Sequence, residues 1–381
     1  MSNFIPPQVV AAEALDQLDY ELVAGSLMYR DKTDDFSTVR GMKVGEFITV
    51  RTVTDFRTDE FTGVGPIDPQ EVQQSGRQLK IEKHFDVSVE ITARERALNL
   101  DGIRKEIVNP AMTSMAQKID TYLLTKAQQS QGLFTSGTLL TNAAAIAQAN
   151  KKATRQQISK AGRIALLDDE LEAVLLGTDT FSKFDTRGEA GATALANASM
   201  GHLMGNDWYS SVNFNTTTST PGTGTGVLDN TLPADNLQGL SVLTTLATTG
   251  TFEIGDKIYI AGAKRAFTVA AQVLATATAI PIVEQINENL SALDGNAITV
   301  ESAGVATTIQ GIMFNQGAYG YAAPPLDQAA GDLSGVASAA GLSVRMTEAY
   351  DIQSKKTFWS FDMLLGADAV DARKTMMLGS V

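Results

Sequence analysis

The strongest constraint on the fold of this chain is a run of alternating polarity at residues 77–92. Side chains of a β-strand point alternately to two faces, and the odd positions of this run are apolar. They are Leu79, Ile81, Phe85, Val87, Val89 and Ile91, interrupted only by Lys83. With an outgoing strand at residues 45–56, the pattern predicts one long hairpin over residues 45–92. A two-stranded ribbon is marginal in water, so the hairpin is expected to lie on another chain.

A long helix is predicted directly after the hairpin, at residues 101–130. Its apolar residues are spaced three and four positions apart and form one stripe, comprising Ile103, Ile107, Ala111, Met115, Ile119, Tyr122 and Leu123. The Asn109-Pro110 pair leaves two alternatives open. Pro110 either kinks a continuous helix or begins a new helix that Asn109 caps. At about 1.5 Å per residue the element approaches about 45 Å, which is long for the core of a globular domain.

The first and central parts of the chain predict shorter elements. Residues 4–19 have near-helical apolar spacing within an acidic opening segment, which we interpret as an arm and not as part of a core. Residues 154–166 predict a helix capped by Thr154, and residues 173–176 a short buried strand. A further helix is expected to open at residues 179–184.

Residues 237–310 differ from the rest of the chain because short β patterns recur there at fairly even spacing. These patterns lie at residues 241–245, 252–254, 257–260, 266–269, 279–283 and 297–300. Turn residues separate them, which predicts a small all-β unit inserted into a mixed chain. The predicted fold class is therefore α+β.

Charge and composition limit the classes of function. The formal net charge is −13, and an acidic chain does not neutralise phosphates, so direct wrapping of DNA is not expected. The chain has no cysteine, which removes disulfides, thiolate nucleophiles and cysteine metal sites. The first residues have neither the basic nor the apolar region of a signal peptide, and the long uncharged stretches are too polar to span a bilayer. No membrane partner is expected.

The two histidines are the first candidates for catalysis. His84 and Asp86 share the polar face of the predicted return strand, so a catalytic dyad is conceivable. A solvated pair on a strand is the favoured interpretation. His202 lies in a segment rich in Gly and Met. A role in packing or at a subunit interface is the favoured interpretation.

The acidic and glycine-rich segments offer little more chemistry. Asp31, Asp34 and Asp35 lack the glycine and glutamate of a calcium loop and indicate a solvated turn. The glycine-rich segment Pro221–Gly226 lacks the lysine of a phosphate loop and predicts a flexible loop. The acidic residues 168–172 suggest exposed charge at a helix end in preference to acid–base catalysis. No catalytic residue, metal or cofactor is predicted.

The order of these parts resembles the major capsid proteins of tailed bacteriophages, which share the Hong Kong 97 fold. Four stretches carry the resemblance: the hairpin that leads into residues 100–129, the phrase at 200–212, the phrase at 314–326, and residues 342–351 with 361–367. The β-rich block is similar to the inserted domain of the podophage-type subgroup.

The resemblance implies a division of the chain into five parts. These are an N-terminal arm (1–44), an extended hairpin or E-loop (45–92), a peripheral domain with a spine helix (93–153 and 342–381; helix 101–130), an axial domain (154–236 and 311–341) and a β-rich insertion domain (237–310).

The implied function is a structural one. The chain is expected to assemble with itself into hexamers and pentamers of an icosahedral shell around double-stranded DNA, made in the bacterial cytoplasm. Scaffolding protein and portal are the further expected partners. The candidate subunit-interface residues are Glu60, Phe61 and Asp68 on the hairpin and the basic residues Arg94, Arg96, Arg104 and Lys105. For the basic residues, an intersubunit ion-pair network is favoured over contact with DNA or scaffolding protein.

Two other classes of function stay open at this point. A tail or adhesin-type structural protein would be built around the β-rich block and would show mostly β secondary structure. A cytoplasmic enzyme would use paired carboxylates in a concave pocket and would show perturbed carboxyl pKa values.

Overall fold

The computed structural model describes most of the chain, with gaps. The described residues are 6–30, 46–51, 76–91, 104–129, 133–135, 140, 142–178, 200–229, 241–284, 286, 290, 293–301, 303–304, 307–327, 333–353 and 356–380. The predicted helix opening at 179–184 and the acidic turn at Asp31, Asp34 and Asp35 lie outside these ranges.

The helices among these residues are few and the strands many. The helices are α1 (Pro7–Glu21), α2 (Ala24–Leu27), a π-helix (Arg104–Val108), α3 (Asn109–Gln129), α4 (Ala143–Arg155), α5 (Asp169–Leu176) and a 3-10 turn (Ala372–Lys374). The strands are β1 (Tyr29–Arg30), β2 (Phe47–Arg51), β3 (Gly76–Lys80), β4 (Lys83–Ile91), β5 (Leu133–Thr135), β6 (Arg163–Leu167), β7 (Gly201–Leu203), β8 (Asn206–Ser210), β9 (Thr217–Ser219), β10 (Thr225–Val227), β11 (Val242–Thr244), β12 (Lys257–Ile260), β13 (Ala266–Thr268), β14 (Ala279–Pro281), β15 (Ala297–Val300), β16 (Thr307–Asn315), β17 (Tyr319–Ala322), β18 (Leu333–Ala339), β19 (Leu342–Asp351), β20 (Lys356–Ala369) and β21 (Thr375–Ser380).

The chain divides into two compact units. The first contains residues 1–50, 77–126 and 319–368, and the second contains residues 51–76, 127–318 and 369–381. The first unit is built on a six-stranded sheet with the order β1-β17-β20-β19-β18, in which β4 also pairs with β20. The second is built on a seven-stranded sheet with the order β5-β21-β16-β6-β8-β7, in which β9 also pairs with β16.

The predicted hairpin is only partly a hairpin. β2 pairs with β3, as predicted, but the return strand breaks at residues 81–82 and β4 pairs antiparallel with β20. The backbone N–H of Ile81 donates to Glu46, whereas that of Glu82 donates to Leu365, so the strand changes partners between these two residues. The prediction that the whole ribbon relies on another chain is therefore wrong for β4, which finds a strand of its own chain. Residues 52–75 lie outside the described ranges.

The alternation that predicted β4 is confirmed residue by residue. The even positions from His84 to Glu90 are exposed, whereas Phe85, Val87 and Val89 are half-buried. The ring of Phe85 meets the ring of Tyr122 on α3 edge to face, with centroids 6.1 Å apart. At this point the apolar face of β4 contacts the apolar stripe of α3.

The opening helix α1 belongs to a core. Val10, Ala14 and Leu18 are buried, as their spacing predicts, whereas Val9 is half-exposed. The helix packs on β18 and β19, where Gly335 allows a close approach: a Cβ there would lie 2.5 Å from the backbone N of Gln8. The prediction that this opening contributes nothing to a core is wrong for α1, because its helical apolar face covers the sheet. The extent of an arm over residues 1–44 stays a prediction.

The predicted long helix runs through Pro110 without a break, as in the first of the two alternatives. A π-helix at Arg104–Val108 leads into α3, in which Pro110 is the second residue. Asn109 does not cap a new helix, because it is itself a residue of α3 and its buried Oδ1 accepts no hydrogen bond. Pro110 therefore lies inside a continuous helical run, directly after a π-helical turn. Of the predicted stripe, Met115, Ile119 and Leu123 are buried.

The second unit corrects the predicted elements at residues 154–176. The segment predicted as a helix ends α4 and then forms β6, a fully buried strand between β16 and β8. The segment predicted as the strand 173–176 is the end of α5. A short apolar run is compatible with either a helix or a strand. At residues 163–167 the pairing with β16 and β8 makes the run a strand.

The β patterns predicted between residues 237 and 310 are largely present. The predictions at 257–260 and 297–300 coincide with β12 and β15, and only the pattern at 252–254 forms no strand. β10, β15, β12 and β13 form a four-stranded sheet, and β11 pairs with β14. Apolar residues from these strands form one buried cluster. The assignment of residues 237–310 as an insertion domain stays a prediction.

Candidate functional site

The candidate interface residues are described only in part. Glu60, Phe61, Asp68, Arg94 and Arg96 lie outside the described ranges. Arg104 and Lys105 form the start of the π-helix that leads into α3, and their side chains also lie outside the description. Their role at an interface therefore stays a prediction.

His84 does not form a dyad with Asp86. Its Nε2 lies 3.1 Å from Oδ2 of Asp362 on β20, a carboxylate that is 5 % exposed. Arg345 on β19 donates from Nε (3.0 Å) and Nη2 to the two oxygens of the same carboxylate. Because Asp362 already accepts this bidentate pair, its charge is balanced and His84 is a peripheral third member.

The partners of His84 come from strand register. Asp362 stands opposite Asp86 on β4 and opposite Arg345 on β19, so the three side chains share one face of the sheet. Sequence reasoning missed Asp362 because it lies 278 positions from His84 in the chain. The only signal in the sequence was the alternating polarity of β4. It places His84 on the polar face of the strand but does not identify the strand that pairs with β4.

The same face continues as a row of polar cross-strand contacts. Asp86 accepts hydrogen bonds from Ser88 (2.8 Å) and from Ser360 on β20. Lys356 at the start of β20 lies 2.6 Å from Glu90. Both serines are bound to a carboxylate and neither touches His84, so this row joins strands and supplies no activated nucleophile.

His202 lies at the edge of the seven-stranded sheet. It stands opposite Asp207 across the β7–β8 hairpin, with Nδ1 2.7 Å from Oδ1. Both side chains are largely exposed, so the pair contributes little to stability. With a side chain 65 % exposed, His202 is not packed in a core, and its place at a subunit interface stays a prediction.

The acidic group at residues 168–172 begins a helix. Asp168 is 5 % exposed and caps α5 by accepting the N–H of Asp169 at 2.9 Å. Burial, followed by the adjacent Asp169, raises the pKa of the Asp168 carboxyl. The prediction of exposed charge at a helix end is wrong in place, because these residues follow strand β6 and begin α5. Asp168 is a buried cap, whereas Asp169 and Glu170 are exposed.

The glycine-rich segment Pro221–Gly226 is not a flexible loop. Gly222 donates its N–H to Asp256 at 3.0 Å, and both residues are buried. A Cβ at Gly224 would lie 2.5 Å from the ring of Phe252, so the segment is packed closely against an aromatic side chain. Because glycine has no side chain, the backbone of this segment can approach its neighbours closely. A glycine-rich composition is compatible both with such close packing and with a flexible loop.

A buried charge network in the second unit was missed by sequence reasoning. Lys257 on β12 is 2 % exposed, and its Nζ donates to Thr268 Oγ1 at 2.6 Å. Thr268 in turn donates its hydroxyl and its N–H to Glu284, at 2.6 and 2.8 Å. Burial lowers the pKa of Lys257 to about 8, against the opposing effect of Glu284 and Asp371. No spacing in the sequence signals that Lys257 points into the core.

The described residues contain no cluster of three or more metal-ligating side chains. In the same residues, no helix has the length and apolarity that a membrane crossing requires.

Comparisons with known proteins give matches in structure alone. No protein-family model matches the sequence, and no curated protein matches it. The fold is similar to the capsid of Ralstonia phage GP4, with a TM-score of 0.51 at 10 % identity over 94 % of this chain and 91 % of that chain. It is also similar to a solved structure of Mycobacterium phage Che8, with a TM-score of 0.51 at 12 % identity over 94 % and 90 % of the two chains. The chain therefore has the mixed α+β Hong Kong 97-type fold of phage capsid proteins.

Proposed function

We propose that this chain is the major capsid protein of a tailed bacteriophage. The observation that carries the proposal is the extent of the likeness, which covers 94 % of this chain and 91 % of the Ralstonia phage GP4 capsid chain. A match of that extent spans both compact units, so neither unit stands outside the capsid-like fold.

Exposed apolar side chains support an assembling protein. At the turn between β19 and β20, Ile352 is 79 % and Tyr350 is 57 % exposed, and Phe358 on β20 is also exposed. Apolar side chains concentrated at one turn are typical of an interaction surface, whereas singly scattered ones are ordinary.

The polar contacts of the described residues support a structural role. His84 is peripheral to the balanced pair of Asp362 and Arg345, and Asp168 is used as a helix cap. Each has a structural partner and neither is placed against an activated nucleophile. These arrangements favour a shell component over the carboxylate enzyme.

In the proposed function the chain forms hexamers and pentamers of an icosahedral shell, guided by a scaffolding protein in the host cytoplasm. A portal occupies one vertex, and double-stranded DNA touches only the interior. The podophage-type subgroup and the insertion domain over residues 237–310 belong to the same proposal. Burial between subunits is the function, and no residue is catalytic.

Electron microscopy tests the proposal directly. The chain is expressed alone and together with the genes that flank it, and the purified material is imaged by negative stain. Shells, rings or tubes under either condition are the expected result. Uniform small particles under both conditions would overturn the proposal and favour a fibre protein or an enzyme.

The basic candidates can be tested in the same assay. We propose that Arg104 and Lys105 contribute to an intersubunit ion-pair network together with Arg94 and Arg96. The double change Arg104→Glu with Lys105→Glu is expected to lower the fraction of chain in shells at least about tenfold, because like charges then face each other. Lys118→Glu, an exposed change further along α3, is the matched control. Equal assembly of both variants would remove these residues from the interface.

A further inference from the structure

The second unit carries a basic depression beside α4 and the β7–β8 turn. Its volume is about 470 Å³, and it is lined by Ala147, Asn150, Lys151, Thr154, Arg155, Lys160 and Met204. Lys151, Arg155 and Lys160 are exposed, and no carboxylate is among the described residues that line the depression. Three cations around one concave surface create a local positive potential on a chain whose net charge is −13.

Two of these cations also act on the neighbouring Lys152. Burial, followed by the charges of Arg155 and Lys151, lowers the pKa of the Lys152 ammonium to about 8. Lys152 itself is bound to Glu301 and does not line the depression. The remaining three cations therefore face solvent.

The floor of the depression is held in place by one amide. Asn150 donates from Nδ2 to the carbonyl of Met204 at 3.0 Å. Its Oδ1 accepts from Asn206 at 2.9 Å and from the buried Arg163 at 3.3 Å. These bonds fix α4 to the β7–β8 turn, so the shape of the depression exists before any partner arrives.

The wall at Met204 is held in an unfavourable backbone conformation. Met204 and Gly205 form the two-residue turn between β7 and β8, with φ of +52° and +80°. Asn-Gly is the preferred pair for such a turn, and a methionine there has no local advantage. Its side chain is 41 % exposed. An exposed apolar side chain kept in a strained turn beside three cations indicates a contact surface.

The opposite charge lies at the other end of β6. Lys160 precedes this buried strand, whereas Asp169, Glu170 and Glu172 follow it in the first turn of α5. The five residues of β6 span about 16 Å, beyond the screening length of about 8 Å at physiological salt. The two groups therefore do not neutralise each other within one chain.

Other side chains make the ion pairs of this unit. Among the described residues these pairs are Lys152–Glu301, His202–Asp207, Arg373–Asp371 and Lys374–Asp371. Both end groups are thus available for a neighbour. A positive group at one end of β6 and a negative group at the other favour a head-to-tail contact between copies, which is the kind of contact that closes rings.

We propose that the basic depression receives the acidic first turn of α5 from a second copy of this chain, in a contact that repeats around a ring. The inference rests on the proposed function and adds to it the pair of surfaces that join neighbours within a hexamer or pentamer. Charge complementarity sets the register of the contact, and Met204 supplies its apolar part.

Charge-reversed chains test the contact. The first variant carries Lys151→Glu, Arg155→Glu and Lys160→Glu; the second carries Asp169→Lys, Glu170→Lys and Glu172→Lys, with the Asp168 cap retained. In either variant alone, both surfaces of every contact have the same sign. We expect the assembled fraction, measured by sedimentation and electron microscopy, to fall at least about tenfold for each variant alone.

Mixing the two variants gives a result that misfolding cannot imitate. Alternation around a ring then pairs opposite charges at every contact, so rings of six are restored. Rings of five have an odd number of members and cannot alternate, so they stay absent from the mixture. A chain carrying all six changes restores both kinds of ring.

The outcomes separate the inference from the proposed function. If wild-type chain assembles and the mixture does not regain rings, the contact is wrong and the capsid proposal stands. The contact is equally overturned if the first variant assembles as wild type but loses bound DNA, which would make the depression a nucleic-acid surface. Wild-type chain that never assembles under any condition overturns both proposals.

Discussion

At the scale of single residues, Asp120 shows how one buried carboxylate organises its surroundings. It is 1 % exposed and accepts the N–H groups of Val23 at 2.9 Å and Gly25 at 3.0 Å. Burial raises the pKa of Asp120, and these N–H bonds oppose that shift. The bonds hold the start of α2 against α3 within the first unit.

We expect Asp120→Ala to lower the free energy of unfolding by about 3 kcal/mol, because the buried N–H of Gly25 and the partly buried N–H of Val23 lose their acceptor. Asp120→Asn keeps one oxygen acceptor and is expected to lose only about 1 kcal/mol. Urea denaturation measures both changes, and Asp16→Ala on the exposed side of α1 is the control. An Ala variant as stable as the control would show that these bonds contribute nothing.

The buried Lys257 gives a pH dependence with a defined sign. Its pKa is lowered to about 8 in the folded chain, against about 10.4 when unfolded. Between these values the unfolded chain binds the extra proton, so stability rises as pH rises from about 8 to about 10. Over this pH range the free energy of unfolding is expected to rise by up to about 3 kcal/mol.

The expected rise of stability with pH is measured by comparing variants with the wild-type chain. Urea denaturation at several pH values should show a smaller rise for Lys257→Met than for wild type, because the titrating group is gone. Lys264→Met, at an exposed position on the segment between β12 and β13, should leave the rise unchanged. Parallel curves for wild type and Lys257→Met would mean that Lys257 is not buried as a charged group.

At the scale of elements, the docking of α1 depends on a missing side chain. A Cβ at Gly335 would lie 2.5 Å from the N of Gln8 and 2.6 Å from the carbonyl carbon of Pro7. Because both contacts are with backbone, the helix itself must move to accommodate a methyl group. The sheet therefore sets the position of α1 through its β18 backbone.

Gly335→Ala is expected to destabilise the chain by about 2 kcal/mol, the usual cost of overpacking a close contact. Gly317→Ala is the matched control, because nothing lies within 4 Å of the Cβ it would add. Chemical denaturation compares the two midpoints. Coincident midpoints would show that α1 adjusts without cost.

At the scale of the whole molecule, assembly and stability should be linked. A partner that binds only the folded chain raises the apparent stability with the logarithm of its concentration. If the chain is a shell protein, its own neighbours are that partner. The formal charge of −13 opposes association of free chains, so the contacts that overcome it must be local and complementary.

The unfolding temperature should therefore rise with protein concentration over a roughly hundredfold range. Scanning calorimetry at fixed scan rate measures this, with Arg104→Glu and Lys105→Glu as a variant expected to weaken the dependence. A constant unfolding temperature for wild type would indicate a chain that is stable as a monomer.

The sequence predicted the elements whose evidence is local. The alternation from Phe85 to Val89 gave the two faces of β4, and the stripe through Met115 and Ile119 gave the buried side of α3. Short strands between turn residues, such as β12 and β15, were placed correctly for the same reason. Each of these patterns records which side of a single element is buried, so no distant partner is needed to interpret it.

Tertiary structure alone decided the features that depend on distant pairing. Residues 163–167 are a strand because β16 and β8 lie beside them, and β4 leaves the hairpin because β20 is available. Asp362 became the partner of His84 through the pairing of strands far apart in the sequence. Lys257 became buried through the packing of the β-rich cluster, although its partner Thr268 is only 11 residues away. Local spacing determines what an element can bury, whereas the choice among competing partners belongs to the assembled sheet.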